Sequence, residues 1–102
     1  MQFEWDENKR LKTLRERGID FVDVIDLWED PNRQERFDSR HAYDEARIQT
    51  IGVLKFEILF VVYTERVREG DEEVIRIISA RRATSREREL YRTHRFAFEA
   101  AS

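Results

Sequence analysis

Cysteine is absent from the 102 residues, and proline occurs once, methionine once, histidine twice and glycine three times. Without cysteine the chain can form no disulfide and no thiolate metal site, which suits a reducing cytoplasm. Two histidines, His41 and His94, are too few for a transition-metal centre unless carboxylates complete it. With glycine so scarce, there is no glycine-rich phosphate loop and no Gly-x-Ser-x-Gly nucleophile elbow. No apolar run approaches the eighteen or so residues of a membrane span, and the opening stretch MQFEWDENK lacks the apolar core of a signal peptide. Repeats, low-complexity tracts and linkers are missing too, so a single soluble, cytoplasmic domain over residues 1–102 is expected.

What the chain has in excess is charge. Charged residues make up 40%, against a usual quarter, beside an ordinary 40% of hydrophobic and 12% of aromatic residues. The net charge of −3 conceals an asymmetry. From Val74 onward seven arginines (Arg76, Arg81, Arg82, Arg86, Arg88, Arg92 and Arg95) face three glutamates (Glu87, Glu89 and Glu99), a local net of +4, while residues 1–73 carry −7. Positive charge gathered around one strand exit implies a partner that is negative on that side.

The stretch FEWD alternates apolar Phe3 and Trp5 with acids, the period of a short half-buried strand. Asp6 has the chemistry of a helix N-cap, Glu7 to Arg17 is rich in helix formers with Leu11 and Leu14 on one face, and Gly18 is a natural left-handed stop. Asp20 then opens a second helix whose apolar positions Phe21, Val24, Ile25 and Trp28 follow the i, i+3, i+4, i+7 rule, ended by Pro31. The two helices are expected to form a hairpin with one shared apolar face. Beyond Pro31 the period drops to two. RQERFD is a polar edge strand, ARIQTIGV a second strand, FEILFVVYTER a central strand covered on both faces, and VIRIISAR its partner across a turn at Gly70 and Asp71. Thr84 and Glu87 match a capping box that opens a last helix through SRERELYRTHRF. The expected class is α+β: a short N-terminal strand, a helical hairpin, a four-stranded antiparallel sheet and a C-terminal helix.

Strand alternation sorts the polar side chains by face. Val74, Arg76, Ile78 and Ala80 fall on one side of the last strand, with Ile75, Ile77, Ser79 and Arg81 on the other; Ile58, Phe60, Val62, Thr64 and Arg66 share a face of the central strand. An arginine inside an apolar run, such as Arg76, must find an acid, reach an edge or serve a ligand, and the abundance of acids favours pairing. Arg81 and Arg82 stand at a strand end beside a helix N-terminus, where backbone N–H groups also favour an anion. His41 in a polar loop and His94 in the last helix read as bystanders, Lys9 and Lys12 as a solvated helix face, and Trp5, Trp28 and Tyr63 as core.

Taken in order, FEWDENK, GIDFVDV, EARIQTIG, LFVVYTER and IRIISARRATSRERELY resemble the BrnT-type toxins of bacterial type II toxin–antitoxin systems over nearly the whole chain. The resemblance implies a RelE-like fold, ribonuclease activity that arrests growth, and neutralisation by a BrnA-type antitoxin that itself binds DNA, so that DNA contact is indirect. Two positions depart from the family pattern. Arg17 stands where many members carry a histidine before the interhelical glycine, and Phe56 stands where a turn glycine is expected after IGVLK.

A ribonuclease that uses no metal needs a base for the ribose 2′-OH, cations for the charge growing on phosphorus, and an acid for the leaving 5′-oxygen. Arg81 and Arg82, at a strand end and helix start, suit the second task together with Arg66; Lys9, which matches the family's lysine after FEWD, is expected to share the proton transfers with His41 or Glu45, and Arg47, Arg76 and Arg86 are expected to contact RNA. No cofactor and no metal are expected. A nucleic-acid-binding or protein-interaction module without nuclease activity is the alternative, and Arg17 is the feature that keeps it open.

Overall fold

A computed structural model of the protein describes residues 1–38 and 46–99. Strand β1 (Gln2–Trp5) leads into helix α1 (Glu7–Arg17), which is followed by a single helical turn α2 (Phe21–Val24) continuing as a 3-10 turn (Ile25–Glu29). Strands β2 (Gln34–Phe37), β3 (Ile48–Leu54), β4 (Glu57–Arg68) and β5 (Glu72–Arg82) come next, then helix α3 (Ser85–Arg92) and a 3-10 turn (Phe96–Phe98).

Local capping chemistry sets the helix ends. The Asp6 carboxylate accepts from the Asn8 N–H and opens α1, and Gly18 closes it with a φ of 70°. Asp20 caps α2 through the Val22 N–H. Thr84 and Glu87 form the reciprocal capping box of α3. That last helix is shorter than its sequence suggests. It stops at Arg92 because His94 enters the left-handed region (φ 57°) and the Arg95 N–H bonds the Leu90 carbonyl, the closing bond of a helix terminus.

The sheet has five strands in the order β1-β5-β4-β3-β2. Strands β2 to β5 are the expected antiparallel set, with polar β2 at the edge. The expectation of a four-stranded antiparallel sheet is nonetheless corrected: β1 joins it in parallel with β5, pairing Gln2 with Val74 through Trp5 with Ile77, and the sheet is mixed. Alternation within FEWD gives the strand but not its partner, and the partner lies seventy residues away.

The helical hairpin is also corrected. α1 buries none of its residues, and Leu11 and Leu14 remain 46% and 39% exposed. Two leucines in eleven residues make too narrow a stripe to hold α1 against another helix. It lies instead beside β5 beyond the end of β1, where Arg17 donates to the Ala80 carbonyl (2.8 Å) and Arg82 to the Arg17 carbonyl (2.7 Å).

Both faces of the sheet are covered. On one, Phe21, Val24 and Leu27 pack on Leu59, Val61, Ile77 and Ala80, with Trp5 and Trp28 at the margin. On the other, Leu90 and Phe96 pack on Ile51, Phe60 and Val62. Gly52 lets the first layer approach, since a Cβ there would stand 3.0 Å from Leu27 Cγ. Ile77 and Ala80 can share a face only because β5 carries an extra residue: Val62 pairs with Ser79 and Tyr63 with Ile77, leaving Ile78 as a bulge. The simple alternation is thereby corrected. Arg76 lies on the side of Ser79 and Arg81, not on that of Ala80.

Candidate functional site

The second sheet face is apolar under α3 and polar at its other end. Register places Thr64 opposite Arg76, Arg66 opposite Val74 and Glu4 beside Arg76, all on that polar part. Arg47, one residue before β3, follows the alternation of Gln49 and Ile51 onto the same face. Its carbonyl accepts from the Asp38 N–H (2.9 Å), so the two ends of segment 39–45 are tied together here. His41 and Glu45 belong to that segment, outside the described residues.

Glu4 organises the cations. It accepts from Arg76 and from Arg68, each at 2.6 Å. The Arg76 hydrogen bond, against some burial and with the charges of Arg68 and Arg66 added, holds the Glu4 carboxyl below its ordinary 4.5. Glu4 is the acid that Arg76 required. Glu4 thus joins two of the arginines, Glu72 stands opposite Arg68 in register, and Arg66 and Arg68 are exposed. Opposite Arg76 the Thr64 hydroxyl is wholly buried and has no hydrogen-bond partner among the described residues. An unsatisfied buried hydroxyl costs about 1–3 kcal/mol, a cost met more often at working sites than in plain scaffold.

Lys9 approaches the same face from the edge. With Lys12, Thr13, Glu16 and Arg17 of α1 it lines a groove of about 200 Å³ whose other wall is Ile78 and Ser79. Ser79 belongs to the face of Arg76, so this groove opens onto the rim of the arginine patch. Neither Lys9 nor Lys12 has a carboxylate partner among the described residues.

Arg81, Arg82 and Arg86 lie elsewhere. Val74, opposite Arg66, and Arg82, opposite Leu59, are eight residues apart along β5, roughly 26 Å at strand spacing. Each of the three is engaged. Arg81 forms a two-point ion pair with Glu87 (2.8 and 2.9 Å) and stacks 4.0 Å above the Phe60 ring. Arg82 bonds Glu57 (2.7 Å), and Arg86 bonds Glu99 (2.7 Å). Burial alone would raise Glu87, but the Arg81 hydrogen bond, the Thr84 N–H and the Arg81 charge outweigh it and hold the carboxyl below 4.5. His94 is exposed at the end of α3, and Trp28 is packed between Phe3 and Tyr63.

Residues 5–87 match the family described as "Ribonuclease toxin, BrnT, of type II toxin-antitoxin system". The chain belongs to the BrnT family. It is thus a ribonuclease toxin, with RNA as substrate and an antitoxin as partner. No curated protein matches it significantly. The match runs from the last residue of β1 into the first turn of α3, so it contains Arg47, Thr64, Arg66 and Arg76, the α1 groove and the Arg81–Glu87 pair, while Glu4 lies one residue before it. Among the described residues of this BrnT-family chain, no three acidic or histidine side chains converge to hold a metal ion, and no helix is long and apolar enough to cross a membrane.

Of this face, the sequence places Thr64 beside Arg66 without giving it a role, and Glu4 and Arg68 are not among the expected site residues. Thr64 and Arg68 carried a signal, since both continue the period-two row of Arg66 on β4. Glu4 carried none, because its place depends on β1 pairing with β5.

Proposed function

We propose that the chain is a metal-independent endoribonuclease whose reaction runs on the polar sheet face between the α1 groove and Arg47. By cutting RNA in the cytoplasm it arrests growth, and a BrnA-type antitoxin holds it inactive and supplies any contact with DNA. The observation that carries this reading is the convergence of Arg47, Arg66 and Arg76 on one face at the root of the segment bearing His41 and Glu45.

In the reaction, a base takes the proton of the ribose 2′-OH as O2′ bonds to phosphorus. The P–O5′ bond breaks, and an acid returns a proton to O5′, leaving a 2′,3′-cyclic phosphate and a free 5′-hydroxyl. Negative charge grows on the non-bridging oxygens, and fixed guanidinium groups stabilise it where it appears. Arg76, clamped by Glu4, and Arg66 take that role, with Arg47 on the incoming strand. Lys9 at the rim, with His41 or Glu45, takes the proton transfers. Arg81, Arg82 and Arg86 serve the fold at the α3 end.

The test is cleavage of single-stranded RNA with and without EDTA, by the wild type and by Arg66→Ala and Arg76→Ala. Full activity in EDTA is expected, with each variant slowed by about 10²–10³-fold, the scale of one lost transition-state donor. Loss on chelation restored by a divalent ion would overturn the metal-free mechanism. Binding without turnover would favour the non-catalytic module, for which Arg17 speaks, a guanidinium bonded to the Ala80 carbonyl where many members of the family carry a histidine.

A further inference from the structure

The β3–β4 hairpin turns on two residues, Lys55 and Phe56, between the paired Leu54 and Glu57. Both have positive φ, 50° and 68°. A two-residue turn of this geometry favours Asn-Gly, and a bulky side chain in the left-handed region is strained. Strain in a folded chain is ordinarily offset by packing. Phe56 obtains none: its side chain is fully exposed, the most exposed large hydrophobic residue described. Lys55 gains only an exposed pair with Asp23 (3.3 Å). An aromatic ring is thus held out in water at a position that resists it.

The surroundings of the ring are cationic. Phe56 shares a surface hollow with Ile58, Ala83, Glu57, Arg82 and Arg88. Arg82 neutralises Glu57. Arg88 bonds only the Ala83 carbonyl (2.9 Å) and the Ser85 hydroxyl (3.0 Å), so its charge has no carboxylate partner among the described residues. A free aromatic face beside an uncompensated guanidinium is what a base and its neighbouring phosphate require.

We infer that Phe56 and Arg88 form a second contact for the RNA substrate, outside the reacting centre, in which Phe56 stacks on an unpaired base and Arg88 binds an adjacent phosphate. The site rests on the ribonuclease reading above. It lies at the opposite end of the sheet from Arg66, nine β4 residues from Glu57, roughly 30 Å away. It therefore engages long single strands and is out of reach of a dinucleotide. Base stacking tolerates any sequence, so the contact adds affinity and not specificity.

The experiment compares the wild type with Phe56→Gly, Phe56→Trp and Arg88→Ala. It measures thermal unfolding, affinity for a single-stranded RNA of about twenty nucleotides by fluorescence anisotropy, and cleavage of that RNA beside a dinucleotide. Phe56→Gly is expected to unfold several degrees higher, because the turn is relieved, yet to bind the long RNA about tenfold more weakly while cleaving the dinucleotide at the wild-type rate. Phe56→Trp restores affinity, and Arg88→Ala weakens it with a shallower salt dependence. Unchanged long-RNA affinity in Phe56→Gly overturns the inference alone. A wild type that binds no RNA overturns it together with the ribonuclease reading. Where antitoxin binding is titrated beside these, unchanged RNA affinity with weakened antitoxin binding assigns the ring to a protein partner and also overturns the inference.

Discussion

Glu4 sits between Arg76 and Arg68 and sets two quantities in opposite directions. Glu4→Gln removes the negative charge between two arginines, so RNA should bind more tightly and with a salt slope steeper by about one. The same change releases the Arg76 guanidinium from its clamp, so turnover should fall by about tenfold or more as the transition-state donor loses its fixed position. Anisotropy titrations at several salt concentrations, run beside single-turnover cleavage, separate the effects. Tighter binding with unchanged turnover would mean that Arg76 has no part in the chemistry.

Arg81 and Glu87 differ from that pair in being joined to a cap. Arg81→Ala should cost about 1–3 kcal/mol of stability, by thermal unfolding, and leave RNA cleavage within a few-fold of wild type. The pH dependence follows from the same carboxyls. Glu4 and Glu87 are both held below 4.5 in the folded chain, so on acidification the unfolded chain takes up their protons first. Their contribution to stability is fully present above that value and drains away as pH falls through the folded pKa values. A urea series from pH 6 to pH 3 should show the loss beginning below about pH 5, and Glu87→Gln should flatten it.

Among the elements, those fixed by neighbouring residues were legible in the sequence and those fixed by distant ones were not. Asp6, Gly18, Asp20 and the Thr84–Glu87 box act within one turn of the chain, so their chemistry is visible without the fold. The position of β1 and the bulge at Ile78 depend on strands far along the chain, which periodicity alone does not reveal. The candidate site divides in the same way. The row Thr64, Arg66 and Arg68 could be read from β4, whereas the local density of arginine after Val74 gave no sign that Arg81, Arg82 and Arg86 would each meet an acid. Gly52 shows how little room the first layer leaves. Gly52→Ala would press a methyl group to 3.0 Å from Leu27 Cγ and 3.2 Å from an Asp30 carboxylate oxygen, and should cost about 1–3 kcal/mol by denaturant unfolding.

At the scale of the molecule, Asp30 joins the two covering layers. One of its oxygens accepts both the Val53 N–H (2.8 Å) and the Tyr91 hydroxyl (2.6 Å), linking the turn after α2 to α3. Burial and that bond push the Tyr91 hydroxyl up to about 12, so it stays a donor throughout the working range. The parallel β1–β5 pairing adds a consequence in time. Seventy-two positions separate Glu4 from Arg76, and the arginine that Glu4 must orient is made last. At about 5–20 residues per second, a ribosome needs about 4–14 s to bridge that interval. For those seconds the nascent chain carries Glu4 without Arg76, so on the proposed mechanism no working face forms before β5 has been made.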